Sequence, residues 1–435
     1  MRNLKKIAWL VIMGVSIGFI YTSYVYGYEE LASERRIKEF PESIGRVVGY
    51  SGILIKFKPE LPEAAKQKVR THYGLKPREI LSIGGDNIEL LDIPHFYTHP
   101  EVVNLLRLRE HPAVEWIEEN SILEPALTPN DPWFANWQYD KKVQMHNPQA
   151  WDITTGTSNL TLAIADTGVD CSHEDLAANC IAGWNFYDNN SNTEDVYGHG
   201  TAVAGIAAAV GNNGIGVAGH VWPCKIMPLR VSGTDGYATY SAIASAVTYA
   251  ADHGARVVNN SYQTSGSATV RSAGHYLMSK GGLLTVSEGN YGNDAGYSAS
   301  ADLISVSAVD HSDVLYSWSS YGNDVDVAAP GCTGATTVRG NVYASACGTS
   351  ASAPQTAGVL ALILSVNPNL SADQAQNILF NSAIDLGDPG WDKYYGWGRV
   401  DAYQAVLLAS GASPYTKHPY DPTNLSASRI WNRAI

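Results

Sequence analysis

Two hydrophobic periodicities divide the chain. Between Arg46 and Glu124 the apolar residues come in short blocks with alternation: "GILIKFKP", "NIELLDIP" and "AVEWIEEN" predict strands, while Pro62–Tyr73 and His99–Glu110 predict helices. That order describes a small α+β module, a sheet with two helices on it. A run rich in turn formers, "EPALTPNDPWFANW", follows as a linker. After Gln149 the pattern changes. "LTLAIAD", "KIMPLRV", "ARVVNNS", "LLTVSEG" and "LISVSAVD" are near-continuous apolar runs that end in polar residues, as strands covered on both faces do. Tyr240–Asp252 and Val270–Lys280 predict helices between them. The expected fold is α/β: a doubly wound, mostly parallel sheet with helices on both faces, preceded by the small α+β module. Sites in such sheets form outside the carboxyl ends of the strands, so the polar residues at those ends matter most.

Three element ends carry reactive side chains. Asp166 closes "TLAIAD" ahead of the turn signal Thr167-Gly168, His199 opens the small-residue helix pattern "YGHGTAVAGIAAAVG", and Ser350 precedes the apolar run Ala357–Val366 in "ACGTSASAP". Each has an ordinary reading by itself: a turn aspartate, a packing or capping histidine, and a serine N-cap with Pro354 in the first helical turn. Together they are an acid, a base and a hydroxyl. A serine hydroxyl is a weak nucleophile at neutral pH until an imidazole takes its proton, and a carboxylate is needed to orient that imidazole. The order Asp, His, Ser along a chain is one of the known convergent arrangements.

Composition narrows the partners. The chain has 435 residues, 45% of them hydrophobic and only 16% charged, with a formal net charge of −13. Nucleic acid and anionic lipid are therefore poor candidates, and small, neutral or protein-like substrates are favoured. At the N-terminus "MRNLKK" precedes the apolar "IAWLVIMGVSIGFI", so residues 1–27 read as a signal peptide and imply export, an uncleaved membrane anchor being the alternative. In an exported chain Cys171/Cys180 and Cys332/Cys347 are candidate disulfides closing short loops, leaving Cys224 as a buried thiol. Neither Cys-x-x-Cys nor His-Glu-x-x-His occurs, which disfavours a zinc site built on either motif.

The blocks "IADTGVDCSHEDL", "GHGTAVAGI" and "GTSASAP", with their spacing, resemble the three signature blocks of the subtilisin-like serine proteases over roughly Pro129 to Leu408. The resemblance implies Asp166 as the orienting acid, His199 as general base and acid, and Ser350 as nucleophile. It nominates Asn290, in "VSEGNYG", as an oxyanion donor beside the N–H of Ser350. The stretch "VVNNSYQTSG" resembles the family's substrate-binding edge, so Ser261, Tyr262, Gln263 and Gly289 are expected to touch substrate. Calcium is the implied structural cofactor, with Asp131, Asp175 and Asn213 as ligands. The implied organisation is a signal peptide at 1–27, a propeptide and inhibitor at 28–126 with its processing zone at 120–128, a catalytic domain at 127–409, and a C-terminal extension at 410–435. The implied activity is that of a secreted, self-processed serine endopeptidase acting on proteins or peptides, inhibited by its own propeptide and expected as a monomer. A narrow-specificity processing protease and a catalytically silent binding protein of the same fold are the alternatives. The general endopeptidase is favoured because no strongly acidic cluster lines the candidate binding edge in the sequence.

Departures from the family pattern carry consequences. The family's usual histidine after the serine-block proline is replaced by Gln355. Glu288 brings a carboxylate beside the expected pocket, leaving residue preference open. The methionine common after the nucleophile is Ala351, and a thioether there is an oxidation target. Activity is therefore expected to survive hydrogen peroxide, assayed as residual hydrolysis after timed exposure; rapid inactivation would contradict this.

Overall fold

The computed structural model describes residues 46–83, 85–92, 111–124 and 127–411. The expected signal peptide, the predicted helix at 99–110, residues 125–126 of the processing zone and the extension beyond 411 lie outside the described residues. The chain divides into two units, Met1–Pro125 and Ala126–Ile435.

In the first unit β1 (Arg46–Phe57), α1 (Glu63–His72), β2 (Lys76–Ile83), β3 (Asp86–Asp92) and β4 (Val114–Glu124) follow in order. The strands form an antiparallel sheet ordered β2-β3-β1-β4. Ile53, Ile55 and Phe57 alternate along β1 and bury one face of it with Leu91, Val114, Ile117 and Val69 of α1. The apolar pattern does not predict β2, because almost every residue in it is exposed. It forms by backbone pairing along β3, from Lys76↔Asp92 to Ile83↔Asp86.

The second unit opens with a π-type turn at Phe134–Gln138, then α2 (Tyr139–Gln144) and α3 (Asn147–Trp151). Part of the expected linker thus belongs to the core: Phe134 is fully buried against Trp151. The elements that follow are β5 (Thr161–Asp166), β6 (Trp184–Asn185), α4 (His199–Ala208), β7 (Lys225–Arg230), α5 (Tyr240–Asp252), β8 (Val257–Asn260), α6 (Ala268–Ser279), β9 (Leu283–Ser287), β10 (Ile304–Val309) and β11 (Val325–Pro330). The hairpin β12 (Cys332–Val338) and β13 (Val342–Cys347) leads into α7 (Thr349–Val366), α8 (Ala372–Asn381) and α9 (Ala402–Ala409).

Seven strands, β11-β10-β9-β8-β5-β7-β6, form one sheet in which every named-strand pairing is parallel. Alternation along β5 explains its two faces. Leu162 and Ile164 join the core packed by α4 and α7, whereas Ala163 and Ala165 join the core packed by α5 and α6. The chain lays β7 on one side of β5 and β8 on the other, so its winding direction reverses about β5. Asp166 is the last residue of that strand. Among the described residues one helix, α7, is long and apolar enough to cross a membrane, and it is 83% buried within the protein core.

Both short-loop cysteine pairs are disulfides, Cys171–Cys180 with Cα atoms 5.8 Å apart and Cys332–Cys347 at 4.1 Å. Cys224 is a free buried thiol whose pKa burial pushes up to about 12, which keeps it protonated and unreactive.

Candidate active site

The carboxylate of Asp166, wholly buried at the end of β5, has one oxygen organised from two sides. Its Oδ1 accepts the Thr167 N–H at 2.8 Å and lies 2.7 Å from Nδ1 of His199, while Oδ2 is buried with no hydrogen-bond partner. His199 is the first residue of α4, behind Gly198 at the N-cap. Close approach brings these elements together: a Cβ on Gly200 would stand 2.0 Å from the Gly168 carbonyl and 3.0 Å from Cβ of Asp166. Only glycine fits there. Burial alone would lower the His199 pKa, but the charge and hydrogen bond of Asp166, with the more distant charge of Asp195, outweigh it and raise it above the ordinary histidine value.

Ser350 sits in the first turn of α7, yet it does not cap the helix. Gly348 occupies the N-cap, Thr349 is the first helical residue and Ser350 the second. Pro354 consequently falls inside the helix rather than in its first turn. A proline there has no N–H to give to the carbonyl four residues back. That carbonyl belongs to Ser350, and it accepts the Ser261 hydroxyl at 3.1 Å instead. In return the Ser350 hydroxyl donates to the Ser261 carbonyl at 3.3 Å. The next residue, Tyr262, places its ring 6.3 Å from the His199 ring and donates its hydroxyl to the Gly236 carbonyl at 2.9 Å. The strand end beyond β8 therefore touches both Ser350 and His199. No hydrogen bond joins the His199 and Ser350 side chains among the described residues.

A second strand end approaches from β9. Thr349 donates its N–H to Oδ1 of Asn290 at 2.8 Å and its hydroxyl to the same oxygen at 3.0 Å, and its hydroxyl accepts the Gly289 N–H at 3.0 Å. With Oδ1 so occupied, the amide nitrogen of the exposed Asn290 is the end left for an outside acceptor. The N–H of Ser350, in a first helical turn, likewise has no intrahelical partner. Gly289 has φ 111° and carries the Gln263 amide against its Cα, a Cβ there standing 2.7 Å from Cδ of Gln263. The arrangement provides an imidazole able to accept a proton, a hydroxyl, and N–H donors that can stabilise an oxyanion.

Residues 157–398 match the profile of the Subtilase family, which is more than half of the chain. The chain belongs to the subtilase family. It is similar to thermitase of Thermoactinomyces vulgaris, 42% identical over 283 residues that span 64% of this chain and 99% of thermitase. It is also similar to a thermophilic serine proteinase of a Bacillus species, 39% identical over 305 residues, covering 69% of this chain and 74% of that one. Among solved structures a protease of Pseudoalteromonas arctica aligns with a TM-score of 0.56 and 29% identity over 65% of this chain and all of that chain. This subtilase is accordingly a serine endopeptidase with protein substrates.

The three expected calcium ligands of the subtilase come together. Asp131 accepts the backbone N–H groups of Asn212 at 2.6 Å and Asn213 at 3.3 Å, and Asp175 accepts the Asn213 amide at 2.9 Å and the Val217 N–H at 2.8 Å. Both carboxylates are buried, and no ion pair to lysine, arginine or histidine reaches either among the described residues. Burial raises both pKa values, and the charge of Asp175 adds to the rise at Asp131. Two buried carboxylates without a counter-cation, beside the half-buried Asn213 amide, are a donor set that fits a hard cation.

Sequence reasoning passed over two residues that organise the subtilase site. Asp195, fully buried, takes the N–H groups of Tyr197, Gly198 and Thr201 and the Thr167 hydroxyl, thereby shaping the approach to His199. A carboxylate four residues before a helix-opening histidine was the available signal. Thr349 orients Asn290 from beside Ser350. At Ala351, only 2% exposed, no thioether is present, and Met145 and Met227 are buried elsewhere.

Proposed function

We propose that this subtilase is an exported serine endopeptidase, made as a self-inhibited precursor, that cleaves peptide bonds through Asp166, His199 and Ser350. The 2.7 Å contact between Asp166 and His199, with Ser261 and Tyr262 tying that pair to Ser350, carries the reading. In the reaction His199 takes the Ser350 proton as the hydroxyl attacks the scissile carbonyl, and then gives it to the leaving amine. Asp166 holds the imidazole in the required tautomer. The Asn290 amide and the Ser350 N–H receive the oxyanion. The strand ends at Ser261–Gln263 and Gly289 hold the substrate as an extended segment through backbone pairing. In substrate-free structures catalytic hydrogen bonds are often long, which accords with the Ser350 hydroxyl resting on the Ser261 carbonyl.

A fluorophosphonate is the direct test. It should add one adduct to wild-type protein, on Ser350, and none to Ser350→Ala; equal labelling of both would overturn the assignment. Residues 28–126 are assigned as propeptide and inhibitor, the cut falling within 120–128, and the apolar N-terminal segment 1–27 as the export signal.

Calcium is assigned to Asp131, Asp175 and Asn213. When bound it would neutralise two buried carboxylates and fix the loop around Asn213 to the segment around Asp131. Thorough chelation is expected to lower Tm by about 5–10 °C, as loss of a ligand held well above its Kd would, with recovery on adding calcium. An unchanged melting curve would remove the assignment.

A further inference from the structure

The hairpin of β12 and β13 joins the helices that carry His199 and Ser350. β12 is anchored on the His199 side. The hydroxyls of Thr336 and Thr337 donate to the carbonyls of Ala202 and Thr201 in α4, each at 2.7 Å, and the Ala335 carbonyl accepts the Gln138 amide at 3.2 Å. A Cβ on Gly205 of α4 would stand 2.1 Å from the Thr337 hydroxyl, so helix and strand are in direct contact. β13 is less firmly held. At its far end the Val342 carbonyl meets Nε2 of His173 at 3.0 Å and the Tyr343 hydroxyl donates to Glu174 at 2.9 Å. Four of its six residues are exposed, and a bulge between Thr333 and Thr336 interrupts its pairing with β12. Its last residue, Cys347, is followed directly by Gly348, Thr349 and Ser350.

The first turn of α7 is itself lightly tied. Pro354 has no N–H for the Ser350 carbonyl, so one helical bond that would fix this turn to the next is missing. The body of the helix is secure, since Ser352 and Gln355 donate to the carbonyls of Ala329 and Pro330 at the end of β11. Two ties act where β13 enters the helix. The Gly348 N–H donates to the Gly331 carbonyl at 2.8 Å, and the Cys332–Cys347 disulfide closes the base of the hairpin beside it. That disulfide cross-links the strand anchored on the His199 helix to the residue leading into Ser350. Among the described residues no hydrogen bond between the His199 and Ser350 side chains fixes their separation directly.

We infer that the Cys332–Cys347 disulfide is a positioning element that sets Ser350 against His199, and that its reduction switches hydrolysis down without unfolding the protein. A dithiol is the reductant. Its thiolate attacks the exposed Cys347, releasing Cys332, and its second thiol then closes the reductant's own disulfide and releases Cys347. Two electrons and two protons pass to the protein, leaving two thiols. With the hairpin base open the first turn of α7 relaxes, and a displacement of about 1 Å at a reacting group costs on the order of 10²-fold. The inference rests on the proposed roles of Ser350 and His199. It gives export a consequence: the enzyme stays slow in a reducing compartment and reaches its full rate where disulfides form.

The test uses the processed wild-type enzyme in calcium buffer, treated with dithiothreitol well below its Tm, with intact mass reporting the redox state. The kcat for peptide hydrolysis and the rate of fluorophosphonate labelling should both fall about tenfold or more, KM should change less than about threefold, and both rates should return on reoxidation. The acid limb of the pH profile should not move, because Gly200 keeps α4 seated against Gly168 and Asp166, whereas a general loosening would shift it. Two variants assign the effect. Cys171→Ser/Cys180→Ser, which keeps the hairpin disulfide, should switch as the wild type does. Cys332→Ser/Cys347→Ser should show the low kcat from the outset and respond little to reductant. Unchanged rates in the reduced wild type, a loss that reoxidation does not restore, or a wild-type kcat in folded Cys332→Ser/Cys347→Ser overturns the inference and leaves the serine protease assignment intact. An oxidised wild type that neither cleaves peptide nor labels at Ser350 overturns the two together.

Discussion

Ser350→Ala is expected to lower kcat for peptide hydrolysis on the order of 10⁶-fold and to leave the precursor uncut, a scale set by nucleophile removal in a subtilisin, a member of this family. The size follows from the chemistry: without the hydroxyl there is no acyl-enzyme, and His199 loses the group whose proton it takes. Because the Ser350 side chain makes only a 3.3 Å bond to the Ser261 carbonyl, its loss should leave the fold intact. Intact mass of both proteins in calcium buffer measures the processing, and steady-state hydrolysis measures the rate. A variant that still sheds its first unit, or retains more than about one thousandth of the rate, would place the nucleophile elsewhere. The same base sets the pH profile. His199 must be neutral to accept a proton, and Asp166 raises its pKa, so wild-type activity should fall with acid from a point above the ordinary histidine value of about 6.5. That fall is not local unfolding. A raised folded-state pKa makes the His199–Asp166 pair most stabilising below the unfolded value, with the contribution lost as pH rises through the folded one.

Asn290→Ala is expected to cost about 10²–10³ in kcat with little change in KM, the magnitude of deleting one oxyanion donor. The amide nitrogen of Asn290 faces outward because Thr349 holds its oxygen, so the donor is aimed before substrate arrives. Charge on the carbonyl oxygen develops only in the transition state, which is why kcat and not KM should respond. The substitution also deprives the Thr349 N–H of its acceptor, and a change in stability alone would appear in the melting curve with kcat unchanged at low temperature. A KM effect matching the kcat effect would make Asn290 a substrate-binding residue instead.

Local pattern conveyed much of this protein. The alternation in β1, the continuous apolar run of β5 and the helix at Tyr240–Asp252 each reflect burial along a single element, so they were readable in order along the chain. One readable signal was passed over: Ser371 and Gln374 form a capping box at the start of α8. The exposed strand β2 had no comparable signal, since its partner strand rather than its own side chains holds it in the sheet. The capping expectation for Ser350 failed by two residues because Gly348 takes the N-cap.

The parallel α/β architecture and the nomination of Asp166, His199, Ser350 and Asn290 were legible in the chain, because each is encoded in a short run of residues or in the spacing between such runs, whereas the cysteine pairs were only candidates until the fold brought Cys171 to Cys180 and Cys332 to Cys347. Long-range contacts settle that Thr349 turns the Asn290 amide and that Ser261 fills the carbonyl left open by Pro354. These contacts depend on which strands become neighbours in the sheet. Strand order is settled by burial over the whole domain, and a one-dimensional pattern records which residues are buried without recording what they are buried against.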